Sequence, residues 1–407
     1  MFFDRAKRLF NNNEKETVKI EYASPKNEYY GRVSDKYGTA QMILVVCLTL
    51  VVLVGLMFNN EWISYENFFF FFSDFGEYIT SADSDIESII YHSGSFCDYD
   101  IFGDKLAVSS QDGVNVYTNS GRTVLSDSES LPTPVIESAE KYMLVYDFGG
   151  NEYRIYNLFT KLHAEKTEYK IYGGDAADNG SYAIITGNGT HLSCVNVYNR
   201  RFNEILSIGR NSYVTDVSLS PSGDRCAVIS YSQNEGEYKT HLYITKTSRE
   251  KAYAEIEIDG TFPLYCAFSE NGFLNVVCND RLLSYNTRGD VVSEYRLSEG
   301  DQIVNADVNR YGMAARIYNN GINTLVCFDK NGKLVFNSDI EDNVTEISVY
   351  NSYVFMHGDE KVIRINMLNQ EQVKVDKEIN SDATMLVKSE NEVLLCMKSR
   401  VKYIIFR

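Results

Sequence analysis

The sequence predicts an all-β chain, a β-propeller of eight four-stranded blades, preceded by one transmembrane helix. Three observations carry this. A motif returns about every 40 residues from residue 95 onward, the interval of one propeller blade. No amphipathic helical period interrupts it. The composition sets 30 Tyr and 22 Phe against one Trp and five Pro, and aromatic side chains suit pleated surfaces.

Residues 1–38 read as a largely disordered cytoplasmic tail. Phe2, Phe3, Ala6, Leu9 and Phe10 fall at roughly helical spacing among Arg5, Lys7 and Arg8, which suits either a short helix on the inner leaflet or a disordered end. Residues 39–58 read as the transmembrane helix. Its uncharged core Met42–Phe58 spans roughly 25 Å as a helix, close to the hydrocarbon thickness of a bilayer. The run starts about 40 residues in and exceeds a signal-peptide core. No small-x-small cleavage pattern follows it. The tail carries eight basic residues, whereas beyond the run no Lys or Arg occurs before Lys105. The positive-inside rule therefore puts the N-terminus in the cytoplasm and the rest outside the cell. Residues 59–87 form a juxtamembrane stalk. Its Phe68–Phe72 run suits either the outer membrane interface or the base of the following domain.

Residues 88–407 supply the blades. The turns joining first and second strands read DIFGDKLAVSS, ADNGSYAIITG, SPSGDRCAVIS, SENGFLNVVCN and NRYGMAARIYN, with Gly103, Gly180, Gly223, Gly272 and Gly312 in the turn and Ser352 in the seventh unit. Weaker copies stand near Lys141 and Asn391. Later turns such as NSGR, TRGD and KNGK suit hairpins. The last unit stops after three strands, and Ser88–Ser93 is the candidate donor of its fourth. Eight blades is the preferred count and seven the alternative.

The layout, Tyr65–Asn67, the unit GDKLAVSSQDGVNVYTNSGR at 103–122 and TDVSLSPSGDRCAVIS at 215–230 resemble a family of uncharacterised single-pass membrane proteins. That family comes from Gram-positive, mostly anaerobic bacteria and is known only as a domain of unknown function. The resemblance implies an envelope address and a propeller fold. It names no functional residues.

Chemistry is sparse. Cys97, Cys194, Cys226, Cys266, Cys278, Cys327 and Cys396 are scattered singly, without C-x-x-C, and read as small buried hydrophobes rather than a disulfide framework. His92, His163, His191, His241 and His357 lack metal-ligand spacing. The pairs Asp83/Asp85 and Asp98/Asp100 lack a calcium-loop pattern. The triplets at Asn179, Asn188 and Asn343 are too short a pattern to carry meaning. Asp98, Asp100, Asp175, Asp178, Asp216 and Asp307 fall on or beside first strands. They either make an acidic central channel for a cation or hydrogen-bond turns and neighbouring strands, the simpler role. Net charge is −17, which opposes nucleic acid as a partner. No cofactor, metal or catalytic residue is nominated.

The expected function is a membrane-anchored binding or scaffolding module of the cell envelope and not an enzyme. Its partners would be the bilayer, through Met42–Phe58, and an envelope protein, peptide or wall polymer, through propeller loops. The alternatives are an envelope sensor signalling through the tail, or a glycan- or peptide-acting hydrolase or lyase using channel carboxylates.

Overall fold

Each return of the sequence motif becomes one antiparallel sheet of four strands, and there are eight such sheets. The computed structural model describes residues 37–38, 40–51, 88–91, 96–249, 251–340, 344–358, 360–376 and 383–406. The chain divides into two units, Met1–Ile79 and Thr80–Arg407.

In the first unit residues 40–51 are helical. The Thr49 hydroxyl donates back to the Val45 carbonyl at 2.8 Å, which satisfies it within the helix. Among the described residues no helix is long and apolar enough to cross a membrane. The rest of the apolar run, the tail before residue 37, the stalk with Phe68–Phe72, and Asp83 and Asp85 lie outside the described residues.

The second unit is the propeller. Seven blades occupy residues 97–127, 134–166, 171–210, 213–259, 263–296, 302–340 and 346–376. The eighth takes three strands, Thr384–Ser389, Glu392–Met397 and Arg400–Ile405, and receives Ser88–Ile90 as its fourth. The ring therefore closes as the sequence suggests, although the closing strand is shorter than 88–93. First strands of successive blades contact one another around the centre.

Position in the blade explains the sequence pattern. Second strands are covered on both faces, so Met143–Asp147, Tyr182–Thr186 and Leu274–Cys278 are buried at every residue and read as continuous apolar runs. Outer strands have one wet face, and Ala254–Asp259 accordingly alternates between half-buried and exposed. The core is divided among the eight junctions, one apolar cluster between each pair of neighbouring blades. At the closing junction Ile89 and Tyr91 pack with Leu106, Tyr117, Leu394 and Val401.

Two unlike faces result. The turn face carries the first-to-second and third-to-fourth strand turns. The loop face carries the second-to-third turns and the blade-to-blade connections. Blade 4 extends furthest on the loop face, because Arg225–Asn234 and Glu237–Lys246 are ten-residue strands.

Candidate functional site

The first strands enclose a central cavity of about 890 Å³, to which all eight blades contribute. Its wall is acidic because of what holds the blades together. Asp98 Oδ2 accepts the Ile136 N–H at 2.8 Å, and Asp100 Oδ2 accepts the Ser138 N–H at 2.9 Å, which ties blade 1 to blade 2. Asp175 ties blade 3 to blade 4 through Leu219 N–H at 2.6 Å. Asp216 ties blade 4 to blade 5 through Cys266 N–H at 2.8 Å, and Asp307 ties blade 6 to blade 7 through Val349 N–H at 2.8 Å. Glu346 completes the series by accepting Met385 N–H from blade 8 at 2.6 Å.

In Asp98, Asp100, Asp175 and Asp216 the other oxygen accepts the N–H of the next residue in its own strand. Each carboxylate thus bridges an amide of its own strand and one of the neighbouring blade. The amides pull these groups down, but burial outweighs them. It pushes Asp100, Asp175 and Asp216 up to about 7 and Asp307 up to about 6.

Glu137 has neither kind of partner. It stands in blade 2 where Asp100 and Asp175 stand in theirs, one residue before the end of the first strand's pairing or close to it. The N–H that follows it, that of Ser138, is taken by Asp100. The Ala176 N–H of blade 3 is taken by Asp175. Glu137 therefore lines the cavity with no hydrogen bond from any described residue. Burial, reinforced by Asp175, Asp100, Asp216 and Asp98, pushes its carboxyl well above the usual range.

Tyr146 stands nearby, on the second strand of blade 2. It is 4% exposed, lines the same cavity, and its hydroxyl has no hydrogen-bond partner among the described residues. The phenol feels Glu137, Asp216, Asp98 and Asp175. Gly174 of blade 3 lies against this ring and against Leu144, and it is Leu144 that requires the glycine: a Cβ there would stand 2.7 Å from Leu144 Cδ2 and 2.9 Å from the Ala183 oxygen.

The cavity's two ends differ. On the turn face Arg310 of blade 6 reaches Asp178 of blade 3, with Nη2 donating to Oδ2 at 2.9 Å, and its Nε lies 3.6 Å from Glu270. Asp178 also accepts the Glu140 N–H of blade 2 at 2.9 Å. On the loop face the mouth is aromatic. First strands of blades 3, 4, 5 and 6 each carry a bulge toward this end, a device that re-aims side chains. Tyr172 and Tyr265 line the mouth and are about half exposed, and Phe148 meets Tyr172 edge-on at 6.5 Å. Beyond them Tyr213, Tyr231, Tyr238 and Phe262 form a cluster at the tip of blade 4.

Five of the six sequence-nominated aspartates prove to be inter-blade clamps, and Asp178 an ion-pair partner across the cavity. The four described histidines do not converge. His163 lies against Glu165 and Phe202, His191 against Asn211, and His241 against Ser232. His357 is buried, with Nε2 2.9 Å from the Ala383 oxygen and 3.3 Å from Glu346. His92 and Asn343 lie outside the described residues. Among the described residues no group of three His, Cys, Asp or Glu is placed to hold a metal, and no disulfide joins any of the eight cysteines. Glu137, Tyr146, Arg310 and Glu346 were not singled out from the sequence. Aligning PVIES with the aspartate-bearing strands would have found Glu137.

Fold and site together define an eight-bladed β-propeller with an acidic central cavity. The chain belongs to a family of unknown function, DUF5711, whose model matches residues 74–406. It is similar in fold to Sqt1 of Saccharomyces cerevisiae, at 12% identity over 79% of this chain and 98% of that one, with a TM-score of 0.57. It is also similar to Sqt1 of Chaetomium thermophilum, solved bound to the N-terminus of ribosomal protein L10, at 14% identity over 79% and 99% of the two chains and a TM-score of 0.51. At such identities the likeness is one of fold. No curated protein matches this sequence.

Proposed function

We propose that this protein is a membrane-anchored binding module of the cell envelope, its propeller outside the cell and its loop face meeting a protein partner. The observation that carries the reading is the contrast between the faces. The turn face is bound to itself across the cavity, whereas the loop face offers exposed aromatic side chains around an open mouth, an arrangement suited to recognition by connections on a rigid scaffold. Anchoring is supported by the uncharged run Met42–Phe58, and orientation by the basic tail against the acidic stretch before Lys105. The propeller bound to the N-terminus of ribosomal protein L10 supplies an example of this scaffold presenting a peptide. Binding is preferred to catalysis because the clamp aspartates are occupied by backbone amides.

The test is site-specific photo-crosslinking of the full chain in its own cells, with the probe at Tyr238 or Tyr318 on the loop face and at Leu368 on the turn face. The reading expects one discrete adduct shared by the first two positions and absent at the third. Equal, diffuse labelling at all three positions would overturn it. An impermeant maleimide that failed to reach Cys97 in intact cells, yet labelled it after lysis, would overturn the orientation.

A further inference from the structure

Cations are scarce in the cavity. Of the described residues that line it, only Arg310 and Lys388 carry positive charge. Arg310 is committed to Asp178 and Glu270. Lys388 is bonded to Asn119 and lies 3.6 Å from Glu392. Asp100, Asp175, Asp216 and Asp307 have amide partners but no cation among the described residues. Glu137 has neither, and the hydroxyl of Tyr146, on a side chain that is 96% covered, opens onto the same space without a partner. Glu137 is half-buried, and it and the Tyr146 hydroxyl face the cavity, so a donor entering that space meets two oxygens that no described residue has paired.

We infer that this cavity receives the cationic side chain of a lysine or arginine, carried by an extended basic segment of a partner protein that enters from the loop face. The inference rests on the binding reading above and names its ligand. Charge selects the ligand: an ammonium or guanidinium would donate to Glu137 and to the phenol oxygen of Tyr146, amid carboxylates that no protein cation neutralises. The aromatic mouth selects a peptide over a free amine. Tyr172 and Tyr265 stand where flanking residues would pass, and aromatic faces attract cations and apolar stems alike. Size agrees, since about 890 Å³ admits long side chains and excludes a folded domain. The Arg310–Asp178 bridge places a cation at the turn-face end, which opposes a second cation entering there.

The experiment is fluorescence anisotropy of the full chain in detergent with a labelled lysine-rich peptide, its acetyl-lysine counterpart, and spermidine as competitor. Glu137→Gln and Tyr146→Phe are the variants, each checked by thermal melt for an intact fold. Binding of the lysine peptide should weaken about tenfold in E137Q and about threefold in Y146F, and should weaken further with salt. The acetylated peptide should not bind. Affinity of both variants for the lysine peptide unchanged from that of the native protein, or binding of the acetylated peptide as tight as that of the lysine peptide, would overturn the inference. Spermidine binding as tightly as the peptide would overturn the peptide as occupant. A Tyr238 crosslink that survives in E137Q, with no lysine-peptide binding, would leave the binding module standing and remove only this ligand.

Discussion

Replacing Asp216 with asparagine separates the two forces acting on a clamp. Asp216 accepts Val217 N–H and Cys266 N–H, both at 2.8 Å, inside the channel wall. Asparagine keeps one oxygen and turns an NH₂ toward the other amide, so one buried N–H loses its acceptor, at a cost of about 1–3 kcal/mol. Against that, burial holds the carboxyl at about 7 rather than 3.8. A group whose pKa is raised on folding binds more protons in the native state. It therefore costs nothing extra below about pH 4 and reaches its full cost above about pH 7. That cost is at most on the order of 4 kcal/mol, and asparagine does not incur it.

The variant should accordingly melt below the native protein at pH 5 and draw level with it or above it by pH 8. For the unit Thr80–Arg407 the unfolding entropy is roughly 0.7 kcal/mol/K, so 1 kcal/mol moves Tm by roughly 1.5 °C. Roughly 1.7 kcal/mol of the burial cost is already incurred at pH 5, so the expected deficit there is at most about 2 °C, and the swing to pH 8 about 4 °C. Circular dichroism melts of the full chain at pH 5, 6, 7 and 8 give the comparison. A deficit that stays constant, or deepens toward pH 8, would show that the two amides outweigh burial and that the carboxylate is ionised throughout.

Asn275 is fully buried on a second strand, opposite Ala267 and Ser284, and neither its Oδ1 nor its Nδ2 is hydrogen-bonded. The equivalent partner of Asp100, Asp175, Ser218 and Asp307 is alanine, so Asn275→Ala should raise stability by about 1–2 kcal/mol. A lower Tm would mean that a bound water satisfies the amide. Ile89, 3% exposed, fixes the closing strand, and Ile89→Ala should cost about 2–4 kcal/mol. A melt unchanged within 1 °C, a shift of under about 1 kcal/mol, would show that the three-residue strand does not close the ring. Cys97 is the one half-buried propeller thiol; Cys194, Cys226, Cys266, Cys278, Cys327 and Cys396 are buried. A maleimide should label Cys97 alone of these in the native state, and rapid labelling of any other would contradict the packing.

How far the sequence carried depended on whether a feature was local. A blade's second strand must be apolar on both faces and must follow a turn that reverses the chain, and both requirements act within a dozen residues. Gly103, Gly180, Gly223 and Gly272 lie in those turns, as expected, and take positive φ there. Gly312 does something else: it begins the second strand at φ +149, where a Cβ would lie 2.3 Å from the Phe328 oxygen. In the seventh unit Asn351, not Ser352, takes the left-handed position at φ +53, which asparagine tolerates better than most residues. The aspartates were visible as residues on first strands, but their role was not. Whether a carboxylate clamps the next blade or is left over depends on which amide each neighbour has already claimed, and that is a property of register between blades. Glu137 shows it most clearly, since its isolation follows from Asp100 and Asp175.

The same accounting explains why the two faces should differ in motion. On the turn face the connections bind each other. Asp178 N–H donates to the Pro221 oxygen at 3.1 Å and Glu270 N–H to the Arg310 oxygen at 2.8 Å, while Ser269 Oγ donates to the Lys330 oxygen at 2.7 Å. The Arg310–Asp178 pair then joins blades 3 and 6 across the cavity. On the loop face the tip of blade 4 projects on two ten-residue strands, beyond the reach of these bonds. Protection from hydrogen exchange follows hydrogen bonds that must break to expose an amide. Amides of Asp178, Gly223 and Glu270 should therefore exchange far more slowly than those of Glu235 and Gly236. Arg310→Ala should speed exchange at Asp178 and Glu140 while leaving the blade 4 tip unchanged. Equal effects at both ends would mean that the bridge acts on global stability and does not lock one face, and the turn face would then lose its claim to be the rigid base from which the loops recognise a partner.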